Sequence, residues 1–107
     1  MRDVLLDYLG LPATYVGYRY LSCAANLVRR DEELLLQISK CLYPAVAEEF
    51  QVSPASVERS IRTAITRCWN HGNRALLDEL AGYRLTQKPT AGELIALLAR
   101  SHSAARL

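Results

Sequence analysis

The segment Val46-Ala-Glu-Glu-Phe-Gln-Val-Ser-Pro-Ala-Ser-Val-Glu-Arg-Ser-Ile61 decides how this chain is read. Its apolar residues Val46, Ala47, Phe50, Val52, Val57 and Ile61 fall at offsets of 0, 1, 4, 6, 11 and 15, two helical stripes separated by a short break. Ser53 followed by Pro54 marks the second helix start. A serine hydroxyl accepts from an otherwise orphaned helix N–H, and a proline at the first helical position forfeits no hydrogen bond. This is the layout of a helix-turn-helix over about 44–70. Ala47 is the small residue where the helices cross, Val52 is expected to bury itself in the turn, and Val57 with Ile61 packs the second helix. Gln51 stands in the turn where glycine is common.

Working outward, Val57, Ile61, Ala64, Ile65, Cys68 and Trp69 continue one apolar stripe until Gly72 stops the helix. Upstream, Leu34, Leu35, Ile38, Cys41, Leu42, Ala45 and Val46 predict a helix capped by Asp31, with a bend or a split at Pro44. A short helix over 2–9 ends at Gly10, and another begins near Tyr18 with Tyr18, Leu21, Ala25 and Val28 inward. Downstream, Asn73 caps a short helix bearing Leu76, Leu77 and Leu80. Thr90 and Glu93 have capping-box spacing ahead of Leu94, Ile95, Leu97 and Leu98. No strand alternation or repeat appears. The expected fold is all-α, one six-helix domain over 1–100, with residues 101–107 as a frayed tail.

The 107 residues are half apolar and 22% charged, suited to a single core. There is no signal-peptide pattern or apolar run of membrane-spanning length, so the expected location is the cytoplasm. Cys23, Cys41 and Cys68 are odd in number and widely spaced, and each lies in an apolar helical pattern, so they read as core thiols. His71 and His102 have no metal-ligand spacing, and nothing implies a cofactor or metal. No nucleophile has an evident base, and no Gly-rich phosphate loop is present, so the chain does not read as an enzyme.

A formal net charge of +2 is too small to imply nucleic acid on its own, so the placement of the arginines decides. At about 100° per residue, Ser56, Arg59, Arg62, Thr63 and Thr66 point away from the stripe of helix 54–70, with Glu58 and Arg67 at its flanks. Hydroxyls and guanidiniums suit phosphates and base edges, and one carboxylate near the helix start can accept from a cytosine amino group. Ser56, Glu58 and Arg59 are the candidate base-contacting residues. Arg62, Thr63, Thr66 and Arg67 are the candidate backbone or flanking contacts. The competing explanation is a solvated face in which Glu58 supports Arg62 through an i,i+4 pair.

Cys41-Leu-Tyr-Pro-Ala-Val-Ala-Glu-Glu-Phe and Ser53-Pro-Ala-Ser-Val-Glu-Arg-Ser-Ile-Arg-Thr-Ala-Ile resemble the C-terminal effector domain of the sporulation response regulator of endospore-forming bacteria. Gly17-Tyr-Arg-Tyr-Leu, Trp69-Asn-His-Gly, Asp78-Glu-Leu-Ala-Gly-Tyr and Glu93-Leu-Ile-Ala-Leu extend the resemblance in the same order along nearly the whole chain. It implies a six-helix domain whose fourth helix enters the major groove of double-stranded DNA at tandem boxes. Adjacent domains would touch there as a tandem dimer, and the domain would contact RNA polymerase. By position, Glu58 and Arg59 match base-approaching residues, and Arg62 matches a second basic position. Ser56 departs from the family, which usually has a guanine-reading arginine there, and Thr63 stands where the family often has histidine.

The resemblance also suggests two weaker partner surfaces: Leu94, Ile95, Leu97 and Leu98 for the tandem neighbour, although core packing is the commoner explanation of those four, and the 74–81 helix with Arg84 and Lys88 for polymerase. Nothing here resembles the phosphoacceptor receiver that the family joins to this domain, which fits either a domain fragment or a stand-alone relative. The alternative function is a helical protein-interaction module that has lost specific DNA binding and pairs with a full-length regulator.

Overall fold

A computed structural model describes residues 3–105, with side chains through Ser101. Its α-helices are α1 (Val4–Tyr8), α2 (Val16–Arg30), α3 (Tyr43–Phe50), α4 (Pro54–His71), α5 (Arg74–Ala81) and α6 (Ala91–Ala105). No strand occurs among the described residues. The fold is all-α, as the pattern predicts.

Most helix starts follow from local chemistry. Asp3 accepts from the Leu6 N–H at 3.1 Å, Ser53 from Ser56 at 3.1 Å, and Asn73 from Leu76 at 3.0 Å. At α6 the capping box closes in both directions: Glu93 N–H donates to Thr90 Oγ1 at 3.2 Å, and Thr90 N–H donates to Glu93 Oε1 at 2.8 Å. Each bond satisfies a donor that the helix leaves orphaned, and each cap stabilises its helix by about 1 kcal/mol.

The segment between α2 and α3 differs from the expected single bent helix. Glu32–Leu36 is a 3₁₀ helix capped by Asp31, Gln37 breaks it at φ −137° and ψ 57°, and Ile38–Leu42 is wound as a π turn. In a regular helix the Pro44 ring would meet the Lys40 carbonyl. The wider winding ahead of it relieves that clash and leaves Pro44 in the first turn of α3, where its missing N–H is harmless. The break therefore falls at Gln37, before the proline. The stripe is kept except at one position: Leu42 and Val46 are buried, and Leu34, Leu35 and Ile38 pack partly buried against the core, while Cys41 is exposed. Cys41 is exposed and Cys23 only half-buried, which corrects their reading as core thiols; Cys68 is buried.

Helix α2 is the centre of the packing and touches α3, α4 and α6. Leu21 and Ala24 are fully buried on it, and the Tyr18 hydroxyl accepts from the Asp3 N–H at 2.7 Å while meeting Asp7 Oδ1 at 2.8 Å, which fastens α1 to the core. Helix α4 contributes Val57, Ile61, Ala64, Ile65 and Cys68, and α6 contributes Leu94, Ile95, Leu97 and Leu98. Burial of each large aliphatic side chain supplies about 1.5–3 kcal/mol against chain entropy. The four α6 residues are thus committed to the core, so the apolar surface suggested for a tandem neighbour is not free there. At the other end of α2, the Arg29 guanidinium donates to the Ala99 and Leu98 carbonyls at 3.1 and 3.2 Å. Helix α6 continues through Ala105, past position 100, where the folded domain was expected to end. The expectation for 106–107 lies outside the described residues.

Two glycines allow backbone contact where a side chain would not fit. A Cβ at Gly17 would stand 2.3 Å from the Ser60 carbonyl oxygen and 2.8 Å from Ala64 Cβ; one at Gly72 would stand 2.4 Å from the Leu9 oxygen. The first sets how closely α2 crosses α4. The second lets the end of α4 meet the end of α1, where the Asn73 N–H donates to the Leu9 carbonyl at 2.9 Å.

Gly17→Ala should cost at least about 2 kcal/mol in urea unfolding, because the clash is with backbone and cannot be relieved by a rotamer change. Burial pushes the Cys68 thiol up to about 11, against a small opposing effect of Arg67, so its thiolate is scarce at neutral pH. A thiol-reactive probe should label exposed Cys41 readily in the native protein and Cys68 only after denaturant is added; native labelling of Cys68 at the rate of Cys41 would contradict this packing.

Candidate nucleic-acid interface

Two helices and the turn between them form the site. Helix α3 ends at Gln51, which takes the left-handed conformation at φ 56° and ψ 49°, the sole non-glycine residue with positive φ among those described. Glycine would adopt this conformation freely, and glutamine does so at a cost of about 1 kcal/mol. The Val52 N–H then donates to the Ala47 carbonyl at 3.0 Å, closing the end of α3.

Val52 is 37% exposed, against the expectation that it fills the turn. The left-handed step at Gln51 turns it outward. Phe50 takes over the apolar contact, packing its ring 5.1 Å from that of Tyr20, with the Arg19 guanidinium 5.9 Å from its centroid. Ala47 is buried beneath α4, as its small size predicts.

Since one stripe of α4 is consumed by the core, the helical period leaves the opposite face to solvent. Glu58, Arg59, Arg62 and Thr63 are exposed, and Ser56, Thr66 and Arg67 are half-buried. All seven candidate residues thus share one helix, but their environments differ. The Ser56 hydroxyl accepts from Ser53 Oγ at 3.0 Å and so is drawn into the helix cap. The Thr66 hydroxyl accepts from Lys88 Nζ at 3.1 Å. The Arg67 guanidinium lies 5.9 Å from the Tyr15 ring centroid, and its Nε is buried without a hydrogen-bond partner. Glu58, Arg59, Arg62 and Thr63 are the members presented most openly.

Tyr43, at the start of α3, forms a floor under this face and lines a cleft with Glu58, Arg62, Ile65 and Lys88. Its phenol is raised above the ordinary tyrosine value, first by burial and then by the Glu58 carboxylate, with Arg62 acting in the opposite direction. Tyr43 is therefore a neutral phenol at physiological pH, placed between an acid and a base of the exposed face. A second cleft, on the other flank, is lined by Tyr15, Arg67, Asn70 and His71 together with Arg62, Thr63 and Thr66.

Tyr43, Tyr15 and Lys88 were not among the residues that periodicity selects for this site. Tyr43 falls off the apolar stripe drawn through 34–46, which places the break at Pro44, whereas the chain breaks at Gln37. Tyr15 and Lys88 reach α4 across long stretches of chain, and no local spacing signals such contacts. The described residues contain no cluster of His, Cys, Asp or Glu fit to hold a metal, and none of their helices is long and apolar enough to cross a membrane.

The exposed face of α4 thus carries guanidiniums, hydroxyls and one carboxylate, groups able to hydrogen-bond phosphates and base edges, and is backed by a buried stripe. The family described as the sporulation initiation factor Spo0A C terminal matches residues 3–101, nearly the entire chain. The chain belongs to that family, the C-terminal DNA-binding regulator domains of the sporulation initiation factor Spo0A.

Proposed function

We propose that this domain is a sequence-specific reader of double-stranded DNA that regulates transcription by inserting the N-terminal half of α4 into the major groove. The observation that carries the reading is the open presentation of Glu58, Arg59, Arg62 and Thr63 on the side of α4 opposite its core stripe. Arg59 and Glu58 act at base edges: a guanidinium can donate twice to guanine, and a carboxylate can accept from cytosine. Ser56 is a shorter and weaker base contact, since one face of its hydroxyl is already committed to Ser53. Arg62, Thr63 and Arg67 meet the phosphates, with Arg67 braced against Tyr15. Thr66 stands at the same level of the helix, its oxygen occupied by Lys88.

Family membership supports binding at tandem boxes near promoters and contact with polymerase. Because the apolar side chains of α6 are buried, a tandem neighbour would have to be met through other groups. The exposed outer surface of α5 is where polymerase would be met.

In fluorescence-anisotropy titrations at two salt concentrations, a duplex with the sporulation regulator's tandem box should bind more tightly than a scrambled duplex of equal length. Both affinities should fall as salt rises, because neutralised phosphates release counterions. Failure to bind either duplex would exclude the reading and leave a protein-interaction module. Arg59→Ala should cost about 1–3 kcal/mol on the box and much less on the scrambled duplex, whereas Arg62→Ala should weaken both alike. Equal losses from Arg59→Ala would remove it from the base-reading role.

A further inference from the structure

The loop between α5 and α6 carries a cation onto the exposed face of α4. Lys88 Nζ donates to Thr66 Oγ1 at 3.1 Å, across 22 residues of sequence. The loop holds Lys88 there from both ends. On one side the Leu85 N–H donates to Asp78 Oδ1 at 2.9 Å, and Leu85 packs against the core. On the other, Pro89 is buried and Thr90 begins α6 with its closed capping box. Anchored on both sides, the loop keeps the exposed Lys88 side chain within reach of Thr66.

Thr66 is seven residues beyond Arg59, which places it about 10 Å farther along the α4 axis, still on the outward side. A recognition helix brings its N-terminal residues to base edges, and the greater share of its hydrogen bonds goes to the phosphates that border the groove. If Arg59 is at base level, the Lys88 ammonium stands at the height of a bordering strand. Thr66 is a neutral partner, so the hydrogen bond orients the ammonium without compensating its charge. Arg62 lines the same cleft as a second cation, so that its two cations outnumber the single Glu58 carboxylate there.

Resting on the DNA reading above, we infer that Lys88 is a DNA phosphate ligand and Thr66 its positioning residue. The 83–89 loop is then a wall of the nucleic-acid interface, not solely a surface for polymerase.

The test is to titrate wild type, Lys88→Ala, Lys88→Gln and Thr66→Val against box and scrambled duplexes over a range of salt, with thermal melts to show that each variant is folded. Both Lys88 variants should lose affinity for the two duplexes by the same factor, about 3- to 10-fold, and the log–log salt slope should become shallower by about 0.9. Thr66→Val should give a smaller loss of the same kind and add nothing in combination with Lys88→Ala, because it acts only through the lysine. An unchanged salt slope in the Lys88 variants, with wild type binding normally, overturns the inference and leaves the DNA reading standing. A loss confined to the box duplex overturns it as well, as does normal DNA binding combined with reduced transcription by purified polymerase, which would assign Lys88 to polymerase. If wild type binds neither duplex, the DNA reading fails and the inference fails with it.

Discussion

The close passage of α2 over α4 at Gly17 is the constraint on which the remaining structure depends. With hydrogen in place of a side chain, the α2 backbone comes against the Ser60 carbonyl and Ala64. The two helices can then share Leu21, Ala24, Ile61 and Ala64 in a single dense layer. That layer determines the rotation of α4 about its own axis. Rotation decides which side chains reach solvent, because turning α4 by one residue would bury arginine and expose isoleucine.

The exposed face of α4 therefore arises from what the core leaves over. Packing takes the stripe from Val57 to Cys68, and the helical period assigns Arg59, Arg62 and Thr63 to the far side. The modest net charge of the chain is compatible with a nucleic-acid partner because of this sorting: three arginines of α4 lie on the outward or flanking surface, while acids such as Glu48 and Glu49 are carried on α3. Tertiary neighbours then refine the surface. Tyr43 lies under the Glu58–Arg62 side, and Tyr15 supports Arg67 on the opposite flank.

What was legible in advance was what depends on near neighbours in the chain. The caps at Ser53, Asn73 and Thr90, the stop at Gly72 and the stripe of α4 each rest on residues within about one or two turns of each other, so their chemistry is written in the spacing. The segment 32–42 was not legible in the same way. Its apolar residues have a clean helical period and mostly keep to the core side, but the 3₁₀ turn, the break at Gln37 and the π turn ahead of Pro44 replace the expected helix, and Cys41 reaches the surface. Val52 was misplaced for a related reason: a left-handed residue at Gln51 reverses the direction in which the next side chain points.

The sequence by itself determined an all-α chain, the extents of α4 and α5 to within a residue or two, the core face of α4, and the set of polar residues left opposite it. These follow from backbone hydrogen bonding and side-chain periodicity, which act over a few residues. Only the tertiary structure decided that Lys88 lies on Thr66, that Tyr15 supports Arg67, that Tyr43 lies between Glu58 and Arg62, and that the apolar residues of α6 face inward with no surface to spare. Those contacts join residues from 15 to 52 positions apart in the chain. Such pairs have no local period to announce them; they meet because burying the common core brings their helices together.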